Sequence, residues 1–232
     1  MGAFPDGKRA PTRLPCSTMT PVNRYRDRAE AGHALARLLA QQPTPPSAAP
    51  LVLALPRGGV PVAAEIARAL RAPLDVFVVR KLGLPRQPEF AMGALASGNL
   101  QLLDESLIAV EGVTRAEVAR VVKRESAELR RRETLYRGDR PTPTFAGRSV
   151  ILVDDGVATG YTMRVAILAL QRLGPATITV AIPVGAPDTC ATLAATVDEL
   201  VCPIRPDPFH AVGLWYDHFP PITDDEVRAY LT

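Results

Sequence analysis

The chain has 232 residues, 47% of them hydrophobic, which is enough for one α/β domain with a substantial buried core. Its 27 basic and 24 acidic residues leave a formal net charge of +3, too small a surplus to indicate a nucleic-acid scaffold. The three cysteines are an odd number without zinc-site spacing, so they argue against a disulfide framework and predict a cytoplasmic protein.

The first predicted elements are a tail, a helix and a strand. Residues 1–21 mix Pro, Gly and charges without the apolar stretch of a signal peptide or membrane span, so we expect a disordered tail and no membrane partner. A single domain is then expected over residues 22–232. Apolar residues at helical spacing predict a helix over Tyr25–Ala40, a Pro-rich linker follows at 43–50, and the apolar run Leu51–Leu55 predicts a buried strand.

The middle of the chain departs from a regular pattern. Periodicity predicts a helix over Val60–Leu70 and a strand over Leu74–Val79. Residues from about 82 to 147 are interpreted as an inserted region, because the pattern loosens there. Within it, Phe90–Leu103 is predicted to form a hairpin around Ser97-Gly98-Asn99, and Arg115–Tyr136 a long charged helix.

After the inserted region, strands and helices alternate. Strands are predicted at Ser149–Val153, Thr177–Pro183 and Glu199–Cys202, with helices at Met163–Leu173 and Pro187–Ala195. This alternation predicts an α/β fold, a mostly parallel sheet flanked by helices. Ligands of such sheets bind beyond the carboxyl ends of the strands, so the loops there are the candidate sites.

The loop after Ser149–Val153 has the residues of an anion site. Asp154 and Asp155 come first, then small and hydroxylated residues, then the predicted helix. Backbone N–H groups and the helix dipole at such a turn attract anions, and Thr hydroxyls add donors. Gly160 permits a close backbone approach, while ionised carboxylates accept hydrogen bonds from sugar hydroxyls. A sugar phosphate is the ligand that this loop favours; an ordinary capped turn is the alternative.

This run resembles the signature with which type I phosphoribosyltransferases bind 5-phosphoribosyl-1-pyrophosphate (PRPP): an apolar strand, two acids, and Thr-Gly-x-Thr. The resemblance implies a Rossmann-like sheet, with Mg²⁺ held by Asp154 and Asp155. A P-loop and a Rossmann glycine fingerprint are both missing from the sequence, which argues against nucleotide hydrolysis and hydride transfer. The residues that the resemblance assigns to PRPP in this loop are Asp154, Asp155, Val157, Ala158, Thr159, Gly160, Tyr161 and Thr162.

Two further loops carry cations. Pro56-Arg57-Gly58-Gly59 follows the first strand, where the glycines permit a tight turn and Arg57 can present a planar fork to phosphate. In the family this is the pyrophosphate loop; the alternative is a plain turn with an exposed Arg. Arg80 and Lys81 follow the second predicted strand, as similar pairs do in adenine-type members. Adjacent strand residues point opposite ways, so at most one of the two is expected to face a ligand.

The resemblance also implies a mechanism. PRPP would lose pyrophosphate through a transition state with oxocarbenium character, and a nitrogenous acceptor would enter from the opposite face, so the protein acts by position and charge. The catalytic candidates are Asp154, Asp155, Arg57 and Lys81. The cations of the Arg115–Tyr136 helix have two interpretations. The segment either moves them over the pyrophosphate, as the family's mobile loop does, or they form a solvated face of the helix.

The acceptor stays open, because type I members recognise it with a variable hood. Here the hood candidates are the N-terminal helix and the segment Pro203–Asp217, whose aromatic residues either stack on a base or pack against the core. Since His210 and His218 have no Cys or His partners at zinc spacing, they are expected to be surface or hydrogen-bonded residues. Cys190 and Cys202 are expected to be buried small hydrophobes.

Further motifs resemble a bacterial branch of predicted phosphoribosyltransferases over Tyr25–Thr232: Asp27-Arg28, Pro-Arg-Gly-Gly, Arg-Lys-Leu-Gly, Pro-Glu-Phe-Ala-Met-Gly-Ala and Trp-Tyr. The resemblance implies a Mg²⁺-dependent enzyme of nucleotide or nucleoside metabolism, with PRPP and a nucleobase-like acceptor as partners and a homodimer by family analogy. One alternative is a PRPP-sensing or RNA-binding regulator without transferase activity, using the basic segment Arg115–Arg137. Another is a phosphatase or hydrolase with water as acceptor.

Overall fold

The computed structural model of the protein describes residues 24–41, 49–98 and 100–231. The predicted N-terminal tail and most of the Pro-rich linker lie outside these ranges. The strands are β1 Leu51–Ala54, β2 Leu74–Val76, β3 Val79–Gly83, β4 Ala91–Ala96, β5 Leu100–Leu103, β6 Ser149–Val153, β7 Thr177–Ala181 and β8 Glu199–Val201. The helices are α1 Arg28–Ala40, α2 Gly59–Leu70, α3 Glu105–Val110, α4 Arg115–Arg137, α5 Tyr161–Arg172, α6 Pro187–Ala194 and α7 Asp224–Leu231, with a 3₁₀ turn at Val212–Trp215.

The main sheet has five parallel strands in the order β2-β1-β6-β7-β8. Strand β1 is buried at every residue, and β6 at every residue after its first, so both read as continuous apolar runs. Ala54 at the end of β1 lies beside Val153 at the end of β6. The loops that follow these two strands therefore begin side by side at the carboxyl edge of the sheet, and the predicted α/β fold is confirmed.

Helices cover both faces of the sheet and enclose two apolar cores. Val52 and Ala54 point into a core shared with α1, α2, α4 and α7. Leu51 and Leu53 point into a second core with α5 and α6. This alternation is the period of two expected for a strand buried on both faces. In the described ranges, no helix combines the length and the apolar character needed to cross a membrane.

A second, antiparallel sheet of three strands, β3-β4-β5, forms largely from the inserted region, with β3 beginning at Val79, before the expected start of that region. The predicted hairpin is confirmed as β4 and β5, although Asn99 of its turn lies outside the described residues. The predicted strand Leu74–Val79 is wrong in extent, because β2 ends at Val76. The backbone N–H of Val78 donates to Ser97 Oγ at 2.9 Å, and β3 then pairs with β4. The chain therefore leaves the main sheet after β2, because its next residues form hydrogen bonds with the β4–β5 hairpin instead.

Two short helices were not predicted. Helix α3 is capped by Asp104, whose side chain accepts a hydrogen bond from the Leu107 N–H. Before α7, Thr223 and Glu226 exchange side-chain to backbone hydrogen bonds at 2.7 and 3.2 Å, a reciprocal capping arrangement. The Thr-x-x-Glu pattern was readable from the sequence. Its apolar stripe is short, which is why periodicity alone did not find the helix.

Candidate active site

The loops after β1 and β6 touch at the carboxyl edge of the main sheet. A Cβ atom built on Gly58 would lie 2.1 Å from Asp155 Oδ2, and one built on Gly59 would lie 2.7 Å from the carbonyl oxygen of Val153. No real side chain fits at such distances. The paired glycines are therefore required by this close approach, which brings the predicted pyrophosphate loop against the acid pair.

The two acids are half-buried and differ in their partners. Asp154 Oδ1 accepts a hydrogen bond from the Asp155 N–H at 2.9 Å. Asp155 Oδ2 accepts one from Arg28 Nε at 2.9 Å, and its carbonyl oxygen accepts one from the Tyr216 hydroxyl at 2.6 Å. Burial, reinforced by the charge of Asp155, raises the pKa of Asp154 well above its usual range. Burial also raises the pKa of Asp155, and Arg28 opposes that rise.

The loop from Ala158 to Gly160 presents unused donors. Its backbone N–H groups donate to no acceptor in the described part of the chain, and the first turn of α5 adds the N–H groups that every helix start leaves free. Gly160 has φ +70° at the start of that helix. The loop carbonyl of Ala158 accepts a hydrogen bond from Thr189 Oγ1 at 2.6 Å, which ties the loop to α6. The result is an anchored loop with free amides.

The side chains of this loop are consistent with an open anion site. Thr159 and Thr162 are exposed, so their hydroxyls are available to a ligand. Val157 is buried, and its N–H donates to the carbonyl of Val184 at 2.9 Å, so it fixes the base of the loop. The Tyr161 hydroxyl donates to the carbonyl of Gly93 at 3.2 Å and links α5 to the small sheet. The predicted loop residues thus divide into two groups: Thr159 and Thr162 face solvent, whereas Val157 and Tyr161 fix the loop in place.

The predicted cations have different surroundings. Arg57 is exposed beside the acid pair's loop and forms no ion pair in the described ranges. Arg80 and Lys81 lie inside β3, so the expectation that they end a strand of the main sheet is wrong. Arg80 Nη2 lies 2.5 Å from Glu125 Oε2 on α4, and Lys81 Nζ donates to the Glu89 carbonyl at 3.0 Å. Arg80 is thereby held by α4, whereas Lys81 keeps a partly exposed ammonium.

The hood candidates come together in the structure. Tyr25, just before α1, forms a β-bridge with Tyr216, and its N–H donates to the carbonyl of Trp215 at 2.9 Å. The rings of Tyr216 and Phe219 stack at 4.8 Å between centroids. Phe209 and Trp215 pack, partly buried, against the same cluster. The aromatic residues of the hood thus pack against one another and against the buried residues Ala31, Ala34 and Val184, which agrees with the expectation that they pack against the core.

Comparison with known proteins agrees with this geometry. The sequence model of the phosphoribosyl transferase domain matches residues 22–216. The chain is a member of the type I phosphoribosyltransferase family. Two Mycobacterium tuberculosis proteins, whose phosphoribosyl transferase names are provisional, are 42% identical over 207 residues, 89% of this chain and 46% of theirs. The chain therefore spans about half the length of these curated relatives.

A solved structure supports the same family assignment. The crystal structure of TT1426 from Thermus thermophilus superimposes with a TM-score of 0.78 and is 43% identical. The match covers 90% of this chain and 97% of that one. The fold therefore has a counterpart in that structure over most of the length of this chain.

Other expectations for this member of the family can be placed in the structure. Along α4, Arg131 and Arg132 pair with Glu128 of the same helix, and the helix packs on β3 and α7. The expected surface positions of the two histidines are observed, since both are exposed. Cys190 and Cys202 are buried with their sulfur atoms 3.6 Å apart, as expected for small core residues. Cys16 lies outside the described residues.

Two residues at the site were not predicted as site residues. Arg28 was noted only as part of a motif, and Tyr216 only as a possible hood aromatic. Both reach Asp155 from segments more than 60 positions away in sequence. No local sequence pattern predicts these contacts, because the first turn of α1 and the end of the hood are brought together only by the tertiary structure.

Proposed function

We propose that this protein is a Mg²⁺-dependent phosphoribosyltransferase that transfers the phosphoribosyl group of PRPP to a nitrogenous acceptor and releases pyrophosphate. The observation that carries the proposal is the row of free loop amides at Ala158–Gly160 beside a half-buried acid pair and the Arg57 loop. A sugar with phosphates at both ends requires such an arrangement: amides for one phosphate, carboxylates for hydroxyls, and a cation for the other. Family membership supports the reaction class.

Each group has a role in the proposed reaction. The loop from Val157 to Thr162 holds the 5-phosphate, and Asp154 accepts hydrogen bonds from the ribose hydroxyls. Arg57, with the backbone at Gly58 and Gly59, holds the pyrophosphate, and Lys81 adds positive charge from β3. As the bond from the anomeric carbon to pyrophosphate breaks, a bond to the acceptor nitrogen forms and the acceptor loses a proton. Charge stabilisation of the leaving group is the main contribution of these residues.

The acid pair also fits Mg²⁺. Asp154 forms no ion pair with a cationic side chain in the described ranges, so its carboxylate is available to a hard cation. Mg²⁺ is usually held by one or two carboxylates, water and substrate phosphates, and the described residues contain no cluster of three or more ligating side chains. Asp154 would be its main protein ligand. Asp155 would support Asp154 through the hydrogen bond from its N–H to Asp154 Oδ1. When bound, Mg²⁺ neutralises charge on the pyrophosphate.

The rival function is a PRPP-sensing or RNA-binding regulator. The observation that favours it is a set of exposed cations on α4, Arg120, Lys123 and Arg130, that form no ion pair with any described residue. Such a regulator would bind PRPP without turnover. It would also bind RNA at α4, with an affinity that falls as the salt concentration rises. Turnover therefore separates the two functions. The homodimer and the cytoplasmic location stay predictions.

The direct test is calorimetric titration of PRPP with Mg²⁺ into the protein, followed by pyrophosphate release across a panel of nucleobases and related amines. We expect saturable PRPP binding, and pyrophosphate release that depends on one class of acceptor. Binding without release on any acceptor, together with salt-sensitive RNA binding, would favour the regulator. No binding of PRPP or ribose 5-phosphate would refute the proposed site.

A matched pair of glycines tests the phosphate loop. Gly160 and Gly147 have φ values of +70° and +71°, but a Cβ on Gly160 would lie 2.5 Å from the Thr189 methyl, whereas Gly147 has open space. Substitution by Ala should cost each about 1 kcal/mol of backbone strain. Gly160→Ala should also displace Thr189 from Ala158 and weaken ribose 5-phosphate binding at least about 10-fold.

Urea unfolding and calorimetry of the two variants provide the measurement. Gly147→Ala controls for the strain of a left-handed alanine and should bind ribose 5-phosphate within about twofold of the wild type. Equal affinity in the two variants would show that the loop backbone at Gly160 does not hold the phosphate.

A further inference from the structure

Arg28 is a buried cation with three partners at the edge of the site. Its side chain is 8% exposed. Nε donates to Asp155 Oδ2 at 2.9 Å, and Nη1 donates to the carbonyl of Pro220 at 2.8 Å. The guanidinium carbon lies 3.7 Å from the centre of the Phe219 ring. One side chain at the start of α1 therefore contacts both the acid pair and the end of the hood.

The carboxylate that Arg28 holds is the one that faces the pyrophosphate loop. The oxygen that accepts from Arg28 Nε, Asp155 Oδ2, is also the atom nearest to the space where a Gly58 side chain would be. The Tyr216 hydroxyl fixes the backbone of the same residue through its carbonyl. Arg28 thus holds the Asp155 carboxylate and Tyr216 holds its backbone, so the carboxylate is fixed in its place beside Gly58.

Stability does not account for this arrangement. Replacing a buried ion pair by apolar side chains of similar volume is often neutral or stabilising, so burying a charge here has no clear benefit to folding. A planar guanidinium with two of its N–H directions used and one face stacked on a ring fixes the position of its acceptor in a way that a lysine cannot. The contacts of Arg28 therefore determine the position of the Asp155 carboxylate.

The two acids then differ in what is left available. The Asp155 carboxylate is paired with Arg28, whereas the Asp154 carboxylate accepts from the Asp155 N–H and forms no ion pair within the described ranges. Arg28 therefore occupies one carboxylate oxygen of Asp155 and matches the charge of that carboxylate. Of the two, Asp154 is the acid whose carboxylate oxygens have no cationic partner among the described residues.

We infer that Arg28 is a positioning residue, which fixes the Asp155 carboxylate beside the pyrophosphate loop and matches its charge there, whereas Asp154 keeps a carboxylate without a cationic partner among the described residues. The inference rests on the proposed function. Without Arg28, the Asp155 carboxylate beside Gly58 would be unpaired, and its charge would repel the pyrophosphate. The ribose 5-phosphate part of the ligand lies on the other loop, so it should be affected much less.

The test compares Arg28→Met, Arg28→Lys and Arg37→Met by calorimetry with PRPP plus Mg²⁺ and with ribose 5-phosphate. Arg37 is on the same helix, exposed, and bonded only to the carbonyl of His33, so it serves as the control. Arg28→Met should weaken PRPP binding at least about 10-fold and ribose 5-phosphate binding less than about threefold. Arg28→Lys should recover part of the loss, and Arg37→Met should match the wild type.

A double-mutant cycle tests the route of the effect. In the Asp155→Asn background, Arg28→Met should change PRPP affinity by less than about twofold, because the charge that Arg28 controls is already removed. Parallel loss of both ligands by Arg28→Met, or an undiminished effect in that background, overturns the inference. Wild-type protein that binds ribose 5-phosphate but not PRPP, or neither, refutes the proposed function itself and the inference with it. Melting curves of all variants show whether each one is folded.

Discussion

Asparagine at position 154 should abolish most PRPP binding and yet make the ligand-free protein more stable. Asp154→Asn keeps the oxygen that accepts from the Asp155 N–H but removes the charge needed by Mg²⁺ and the ribose hydroxyls. Losing one charged hydrogen bond and one metal ligand should weaken the binding of PRPP with Mg²⁺ at least about 100-fold. Calorimetry with and without Mg²⁺ measures this loss.

The gain in stability follows from the cost of burying the charge. Burial and the neighbouring Asp155 raise the pKa of Asp154, so its charged form is less favourable in the folded protein than in the unfolded chain. A carboxyl group whose pKa is raised in the folded protein stabilises the fold at low pH. That contribution is lost as the pH rises through the pKa of the folded protein. The asparagine variant should therefore melt about 2–4 °C above the wild type at neutral pH. The difference in melting temperature between the variant and the wild type should become smaller as the pH falls, because the wild-type carboxyl group is then protonated.

The matched control is Asp139→Asn, which removes an exposed carboxylate just after α4. It should change neither PRPP affinity nor the melting temperature measurably. An Asp154→Asn variant that binds PRPP with Mg²⁺ like the wild type would remove Asp154 from the proposed site. A variant that melts below the wild type would show that its charge is compensated in the folded protein.

Methionine at position 137 should lower the free energy of unfolding by about 3–5 kcal/mol, the cost of leaving a buried charge unpaired. Arg137 Nε lies 3.1 Å from Asp75 Oδ2, and both side chains are less than 10% exposed. Nη2 and Nη1 donate to the Val76 carbonyl and to Thr142 Oγ1, each at 3.3 Å. This network fixes the end of α4 to the edge strand β2, so Asp75 would lose its counterion in the variant.

An ion pair on the exposed side of the same helix provides the control for Arg137→Met. Arg131 Nε lies 2.7 Å from Glu128 Oε2, but its side chain is 55% exposed. Because water screens such a pair, Arg131→Met should lower the free energy of unfolding far less than Arg137→Met does. Urea unfolding of both variants gives the comparison. Equal losses, or a loss below about 1 kcal/mol for Arg137→Met, would mean that Asp75 is solvated well enough without its partner.

Local sequence patterns were sufficient for the main sheet and its two central loops. The run Ser149–Val153 is apolar after its first residue and β-branched at most positions, and it is followed at once by acids and glycine, so both its type and its end were predicted to the residue. The glycine pair at Gly58 and Gly59 and the run from Asp154 to Thr162 stand at the ends of neighbouring strands. Their meeting could be predicted because parallel strands all end at one edge.

The path of the chain after β2 was not predictable in the same way. Val78 and Val79 extend the apolar run of β2, so the sequence shows no break there. The break comes from Ser97, whose hydroxyl accepts from the Val78 N–H, and from the pairing of β3 with β4. Arg80 was displaced with it and is held by Glu125, a partner 45 residues away. Long-range hydrogen bonds override strand propensity at such points.

The sequence by itself determined the class of fold, the two loops that bind phosphates in the proposal, and the family, because periodicity and turn chemistry are local and the acid–Thr-Gly run is continuous. Only the tertiary structure decided which acid is paired, since Arg28 and Tyr216 reach Asp155 from the two ends of the domain. The physical reason is that a charge's partners are set by packing across the fold, which no local spacing encodes.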